Sequence, residues 1–185
     1  MSLLQTPFRY DYVGSFLRPE RLKKARADFE SGMINPSQLK EVEDECILDL
    51  VSKIKDLGYH VITDGEFRRS TWHLDFMWGF NGIEHKKTLA GNTTFDGEAA
   101  MIDDTYMISK ISVKEHPFVE HFKFLRDLVK DEDVIVKFTI PAPSQFYFEL
   151  IRTPEHIAAW KAVYPTEKEL FEAIKNAYVD VITDL

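Results

Sequence analysis

Four groups of residues have the types and spacing to do chemistry. In Asp64-Gly65-Glu66 a glycine separates two acids directly after the β-rich run Tyr59-His60-Val61-Ile62-Thr63. A carboxylate held at a strand end by a glycine turn can accept a proton or grip a substrate ammonium; it could instead cap the next helix or pair with Arg68 or Arg69. Gly14-Ser15 could bring backbone amides and a hydroxyl against a small polar ligand, because glycine lets a backbone approach closely, or it could be a plain turn. Arg68-Arg69 could clamp a carboxylate or phosphate through paired N–H donors, or sit in a solvated or glutamate-paired turn. Trp72, Trp78 and Phe80 could stack on a flat heterocycle or form a satellite core under a long loop.

Several chemistries drop out. Cys46 lies on the apolar stripe of a helix and is expected to face the core, not to act as a nucleophile. As the single cysteine it excludes an internal disulfide framework. The histidines, His60, His73, His85, His116, His121 and His156, show no His-Glu-x-x-His and no cysteine partner at ligand spacing, so no metal site can be argued from them. The phosphate-cradling glycine motifs and the Gly-x-Ser-x-Gly elbow are absent from the sequence. With 23 Lys+Arg against 31 Asp+Glu, the 185 residues carry a formal charge of −8, the wrong sign for a nucleic-acid partner. At 44% hydrophobic and 29% charged, the composition is that of a globular protein. No stretch approaches the ~20 apolar residues of a membrane span, and the first residues lack a basic flank and an apolar core. A soluble, cytoplasmic protein is expected.

The elements that must position these groups follow from punctuation and period. Tyr10 to Phe16 reads as a strand, followed by a helix behind Pro19 carrying Leu22, Ala25 and Phe29 and stopped by Gly32. Asn35-Pro36 is an N-cap with a proline at the first helical position. Leu39, Val42, Cys46, Leu50, Ile54 and Leu57 then recur at helical spacing until Gly58. A second strand ends at Asp64-Gly65-Glu66. Thr71 to Lys114 reads as an excursion containing a hairpin, with turn signals at Asn81-Gly82, Gly91-Asn92 and Asp96-Gly97. Pro117 opens a helix with Phe118, Phe122, Leu125 and Val129 on one face. Val134 to Ile140, a nearly unbroken apolar run, predicts a strand covered on both faces, stopped by Pro141-Ala142-Pro143. Thr153-Pro154 begins a short helix, and Thr166-x-x-Glu169 is a capping box for a last helix with the stripe Leu170, Ile174, Tyr178, Val181 and Leu185. That stripe is expected to be exposed and available to a second copy of the chain or another partner.

This alternation is a βα pattern whose right-handed crossovers make the strands parallel. A (β/α)8 barrel takes about 250 residues. The expectation is therefore an α/β fold, a partial TIM barrel made of the first three or four βα units, with the hairpin excursion after the second strand. Its strand ends, Gly14-Ser15, Asp64-Gly65-Glu66 and Pro141 to Ser144, lie where such folds bind ligands.

Val13-Gly14-Ser15-Phe16-Leu17-Arg18-Pro19, then Asp64-Gly65-Glu66-Phe67-Arg68-Arg69 with Trp72 and Asp75-Phe76, and Lys137 to Ser144, together resemble the cobalamin-independent methionine synthase family, in particular its shorter single-barrel bacterial members. The resemblance implies that residues 1–185 form the N-terminal part of one TIM-barrel domain, truncated. It also implies a zinc-dependent transfer of a methyl group from 5-methyltetrahydrofolate polyglutamate to the homocysteine thiol. Carried over by position, Val13, Gly14 and Ser15 would hold the amino-acid backbone of homocysteine and Glu66 its ammonium. Asp64, Arg68, Arg69 and Trp72 would play supporting or folate-side roles. The family's zinc ligands, a His-x-Cys pair, a glutamate and a second cysteine, lie on later strands beyond this chain, as does a further acidic residue of the substrate site. Thiolate formation depends on that zinc. Two alternatives stay open: alkyl transfer to another thiol such as coenzyme M, and a catalytically inactive half-barrel that acts as a binding or assembly module.

Overall fold

The computed structural model describes residues 12–87, 93–95, 98–100, 103–130 and 133–185. Contacts divide them into two compact units, one of residues up to 72 with 122–139, the other of 73–121 with 140–185. Among the described residues no helix is long and apolar enough to cross a membrane.

The first unit is a helix-flanked parallel ladder. α1 (Glu20–Glu30) buries Leu22 and Ala25. α2 (Pro36–Asp56) starts at a complete capping box: Gln38 N donates to the Asn35 side chain at 3.0 Å and Asn35 N donates to the Gln38 side chain at 2.9 Å. Its i, i+4 pattern buries Cys46, Leu50 and Ile54, while Leu57, expected on the same stripe, lies past the helix end and is exposed. Gly58, at φ 78°, then reverses the chain into β1 (Val61–Ile62). This strand pairs in parallel with β6 (Ile135–Val136), as the alternation predicted. Leu22, Ile47, Ile62, Phe67, Leu125 and Val129 are central to the core of this unit.

Two expectations fail here. The described part of the first predicted strand, from Tyr12, forms no ladder; Gly14 sits at φ 82°, which breaks an extended run, and Phe16 makes a single backbone hydrogen bond to Gly65 O. Tyr10 and Asp11 lie outside the described residues. The predicted strand over Val134 to Ile140 shrinks to a two-residue ladder, and it is not covered on both faces, since Ile135 is 41% exposed.

The second unit is built on antiparallel pairs. α3 (Leu74–Trp78) leads into β2 (Asn81–Lys86), which pairs with β5 (Asp104–Ser112). Asn81-Gly82, expected to be a turn, is instead an irregularity inside β2: the register shifts between Asn81 and Ile83, and Gly82 takes φ 88° against the backbone of Lys110. β3 (Thr93–Phe95) and β4 (Glu98–Ala100) pair as a hairpin. The turn signals Gly91-Asn92 and Asp96-Gly97 lie outside the described residues. α4 (Pro117–Leu128) passes from this unit into the first.

α5 (Pro143–Leu150) is a helix that the proline-rich segment hid. α6 (Pro154–Val163) is capped by Thr153, and α7 (Glu167–Asp184) by Thr166 accepting from Glu169 N. The stripe Leu170, Ile174, Tyr178 and Val181, expected to be exposed, is buried within the unit. The reason is an aromatic cover from earlier in the chain. Phe76 and Phe80 pack against Tyr178 at ring-centroid distances of 5.2 and 5.8 Å, and the Tyr178 hydroxyl donates to Ala142 O at 3.4 Å. Exposed apolar area lies instead on the neighbouring face, Phe171, Val179 and Ile182, along a groove of about 610 Å³.

Candidate functional site

The chain turns sharply where β1 ends. Glu66 N donates to Asp64 Oδ1 at 2.9 Å. Phe67 N donates to Asp64 O at 3.3 Å, and Arg69 N to Glu66 O at 3.1 Å. Gly65 and Glu66 both have positive φ, 65° and 59°. Glycine adopts this conformation readily, whereas for a side-chain-bearing residue it costs roughly 1–2 kcal/mol. Strain of this kind persists where surrounding contacts over-determine it and is frequent at functional sites.

Those contacts are present. Arg18 Nη2 donates to Glu66 O at 3.2 Å and to Arg69 O at 2.8 Å, so one guanidinium spans the turn. The Thr139 hydroxyl donates to Glu66 Oε1 at 3.1 Å, and Arg69 Nη1 stands 3.6 Å from the same oxygen. Arg69 also donates to Thr139 Oγ1 at 3.1 Å and to Thr139 O at 2.8 Å, with its guanidinium over the Phe138 ring. Asp64, Glu66 and Arg69 are all buried. Asp64 Oδ2 is buried without a hydrogen-bond partner.

Val13, Gly14 and Ser15 are drawn to this turn by the hydrogen bond from Phe16 N to Gly65 O at 3.1 Å. All three are exposed, which leaves the segment open to a small ligand. Lys137 Nζ donates to Tyr12 O at 2.8 Å and holds the segment from the β6 side. The structure thus gathers Val13–Ser15, Asp64, Glu66 and Arg69 around one strand end.

Arg68 goes elsewhere. The Arg68 guanidinium bonds Glu43 at 3.3 Å and Asp44, over the Phe124 ring, which ties the turn to α2. Burial pushes the Glu43 carboxyl up, against the pull of Arg68 and Arg26. For Asp44, burial is outweighed by hydrogen bonds from Lys40 and Arg68, so its carboxyl titrates below the usual range. Trp72 is 53% exposed, and its carbonyl accepts from Arg69 Nη1 at 3.4 Å, beside the turn. Trp78 and Phe80 belong to the other unit, where Trp78 Nε1 donates to Thr105 at 2.9 Å and stacks on His85, and Phe80 is buried. Cys46 is buried with its sulfur accepting from Arg21 Nε at 3.1 Å, and burial raises its thiol pKa in spite of that arginine.

Arg18 and Thr139 escaped the sequence reading as site residues. Both stand inside conspicuous motifs, Val13 to Pro19 and Lys137 to Ser144. Their partners are distant in sequence, and only the fold reveals the pairing.

No family model matches the chain. Among curated proteins it is 33% identical over 178 residues to the uncharacterised protein YxjH of Bacillus subtilis, covering 96% of this chain and 45% of that protein. It is 37% identical over 142 residues to YxjG of the same organism, covering 77% of this chain and 37% of that protein. The chain thus spans less than half the length of the curated relatives it matches. Among solved structures it is similar to a Listeria monocytogenes protein assigned as a vitamin-B12-independent methionine synthase. The TM-score is 0.63 at 31% identity, over 92% of this chain and 49% of that one. Among the described residues no group of three or more His, Cys, Asp or Glu side chains could hold a metal ion, so they do not fit a zinc site.

Proposed function

We propose that this chain supplies the amino-acid grip of a methionine-synthase-like methyltransferase, as the first part of a single parallel barrel in which β1 and β6 are neighbouring strands. The acceptor is a thiol amino acid, homocysteine, and the donor a methylated folate. The observation that carries the proposal is the Glu66 turn: a buried carboxylate, held in a strained backbone conformation by Arg18, Thr139 and Arg69, beside an open Gly14-Ser15 segment. Similarity to the Listeria monocytogenes protein supports the same assignment.

The roles follow from donor and acceptor types. The Glu66 carboxylate accepts from the substrate ammonium. Gly14 and Ser15 present backbone and hydroxyl groups to the substrate carboxylate. Thr139 and Arg69 keep Glu66 in one orientation, so little side-chain entropy is lost on binding. The thiol end projects away from this grip, and the groups that activate it are not assigned to the described residues.

Replacing Glu66 with Gln removes the charge and leaves the shape. L-homocysteine binding, measured by titration calorimetry under reducing conditions, is then expected to weaken about tenfold or more. Equal affinity in the wild type and the variant would overturn the role of Glu66.

A further inference from the structure

The Glu66 turn contains a second buried carboxylate with spare capacity. Asp64 is 2% exposed, and its two oxygens differ: Oδ1 accepts from Glu66 N at 2.9 Å, while Oδ2 is buried and accepts nothing. An ionised carboxylate offers about four lone-pair sites, and a buried acceptor left unserved is costly. Other donors at the turn are committed elsewhere. Phe67 N goes to Asp64 O, Phe16 N to Gly65 O, and the Thr139 hydroxyl to Glu66.

Resting on the amino-acid grip proposed above, we propose that Asp64 is a specificity-determining residue of that site. Its Oδ1 fixes the Glu66 turn, and its Oδ2 accepts a second N–H from the substrate's primary ammonium. A primary ammonium has three N–H donors and can serve both acids at once. A tertiary ammonium has one and cannot. The site therefore selects primary amines.

Asn at position 64 separates the two roles, because its amide oxygen can replace Oδ1 while its NH2 repels an ammonium at the place of Oδ2. The test measures L-methionine and N,N-dimethyl-L-methionine binding to the wild-type chain, Asp64→Asn, Asp64→Ala and Glu66→Gln, with thermal melts alongside. The expected result is an Asp64→Asn protein that melts like the wild type but binds L-methionine about tenfold or more weakly, with Asp64→Ala losing melting temperature as well. Dimethylation weakens binding to the wild type and does so less in Asp64→Asn.

Wild-type affinity for L-methionine in Asp64→Asn, with Glu66→Gln impaired, overturns the role of Asp64 and leaves the amino-acid grip standing. A wild-type chain that binds L-methionine no better than its analogue without the amine overturns both. Should Asp64→Asn fail to fold, equal wild-type affinity for the two ligands overturns the proposal.

Discussion

Glu66 and Gly65 show how sequence detail becomes a site. The turn works because a residue without a Cβ precedes the strained glutamate: a Cβ on Gly65 would lie 2.5 Å from Leu50 Cδ2, in addition to a φ of 65°. Leu50 is a core side chain of α2, so the turn is pressed directly against that helix. Gly65→Ala combines a left-handed penalty with overpacking, and a loss of about 2–4 kcal/mol is expected. Urea unfolding measures it. A loss below about 0.5 kcal/mol, the range of an ordinary surface change, would mean that the turn is not held as tightly as the hydrogen bonds imply.

Among the elements, the junction of β5 and α4 carries a distinct titration. His116 is buried among Phe76, Phe80 and Phe118. Its Nδ1 accepts from Phe118 N at 3.2 Å and its Nε2 lies 2.9 Å from Phe76 O, so these partners require the neutral ring protonated on Nε2. Burial lowers its pKa below the ordinary 6.5, partly opposed by the bond to Phe76. The unfolded chain therefore takes up a proton below about pH 6.5 that the folded chain refuses, and its contribution to stability, complete above that pH, is lost as pH falls toward the folded-state value. Denaturant melts between pH 7.5 and 5.5 are expected to show falling stability in the wild type and a flatter profile in His116→Gln, which does not titrate. Parallel profiles would assign the loss to other groups.

For the whole molecule, local signals were legible and long-range ones were not. The caps at Asn35, Thr153 and Thr166 are sequence-local, and each side chain accepts from the backbone of its helix, although the capping box expected at Thr166 shows only its threonine half. The parallel pairing of β1 with β6 followed from the βα alternation. The lengths of these strands did not, because ladder length depends on which neighbours are present to pair. α5 hid behind Pro141 and Pro143, where the second proline starts a helix instead of merely ending a strand. The α7 stripe was read correctly as apolar, but its cover, the aromatic cluster around Phe76, comes from about a hundred residues upstream. In the candidate site, Glu66 and Gly14-Ser15 stood out by residue type. Arg18 and Thr139 could not, since they reach Glu66 across 48 and 73 positions of sequence. The central claim is that these pieces converge on one bound amino acid, Glu66 on its ammonium and Gly14-Ser15 on its carboxylate. A crystal structure of the chain soaked with L-homocysteine tests it most directly. The ammonium nitrogen is expected within hydrogen-bonding distance of the Glu66 carboxylate, roughly 2.7–3.2 Å, with the ligand carboxylate against Gly14-Ser15. A bound homocysteine whose ammonium points away from Glu66 would contradict the account.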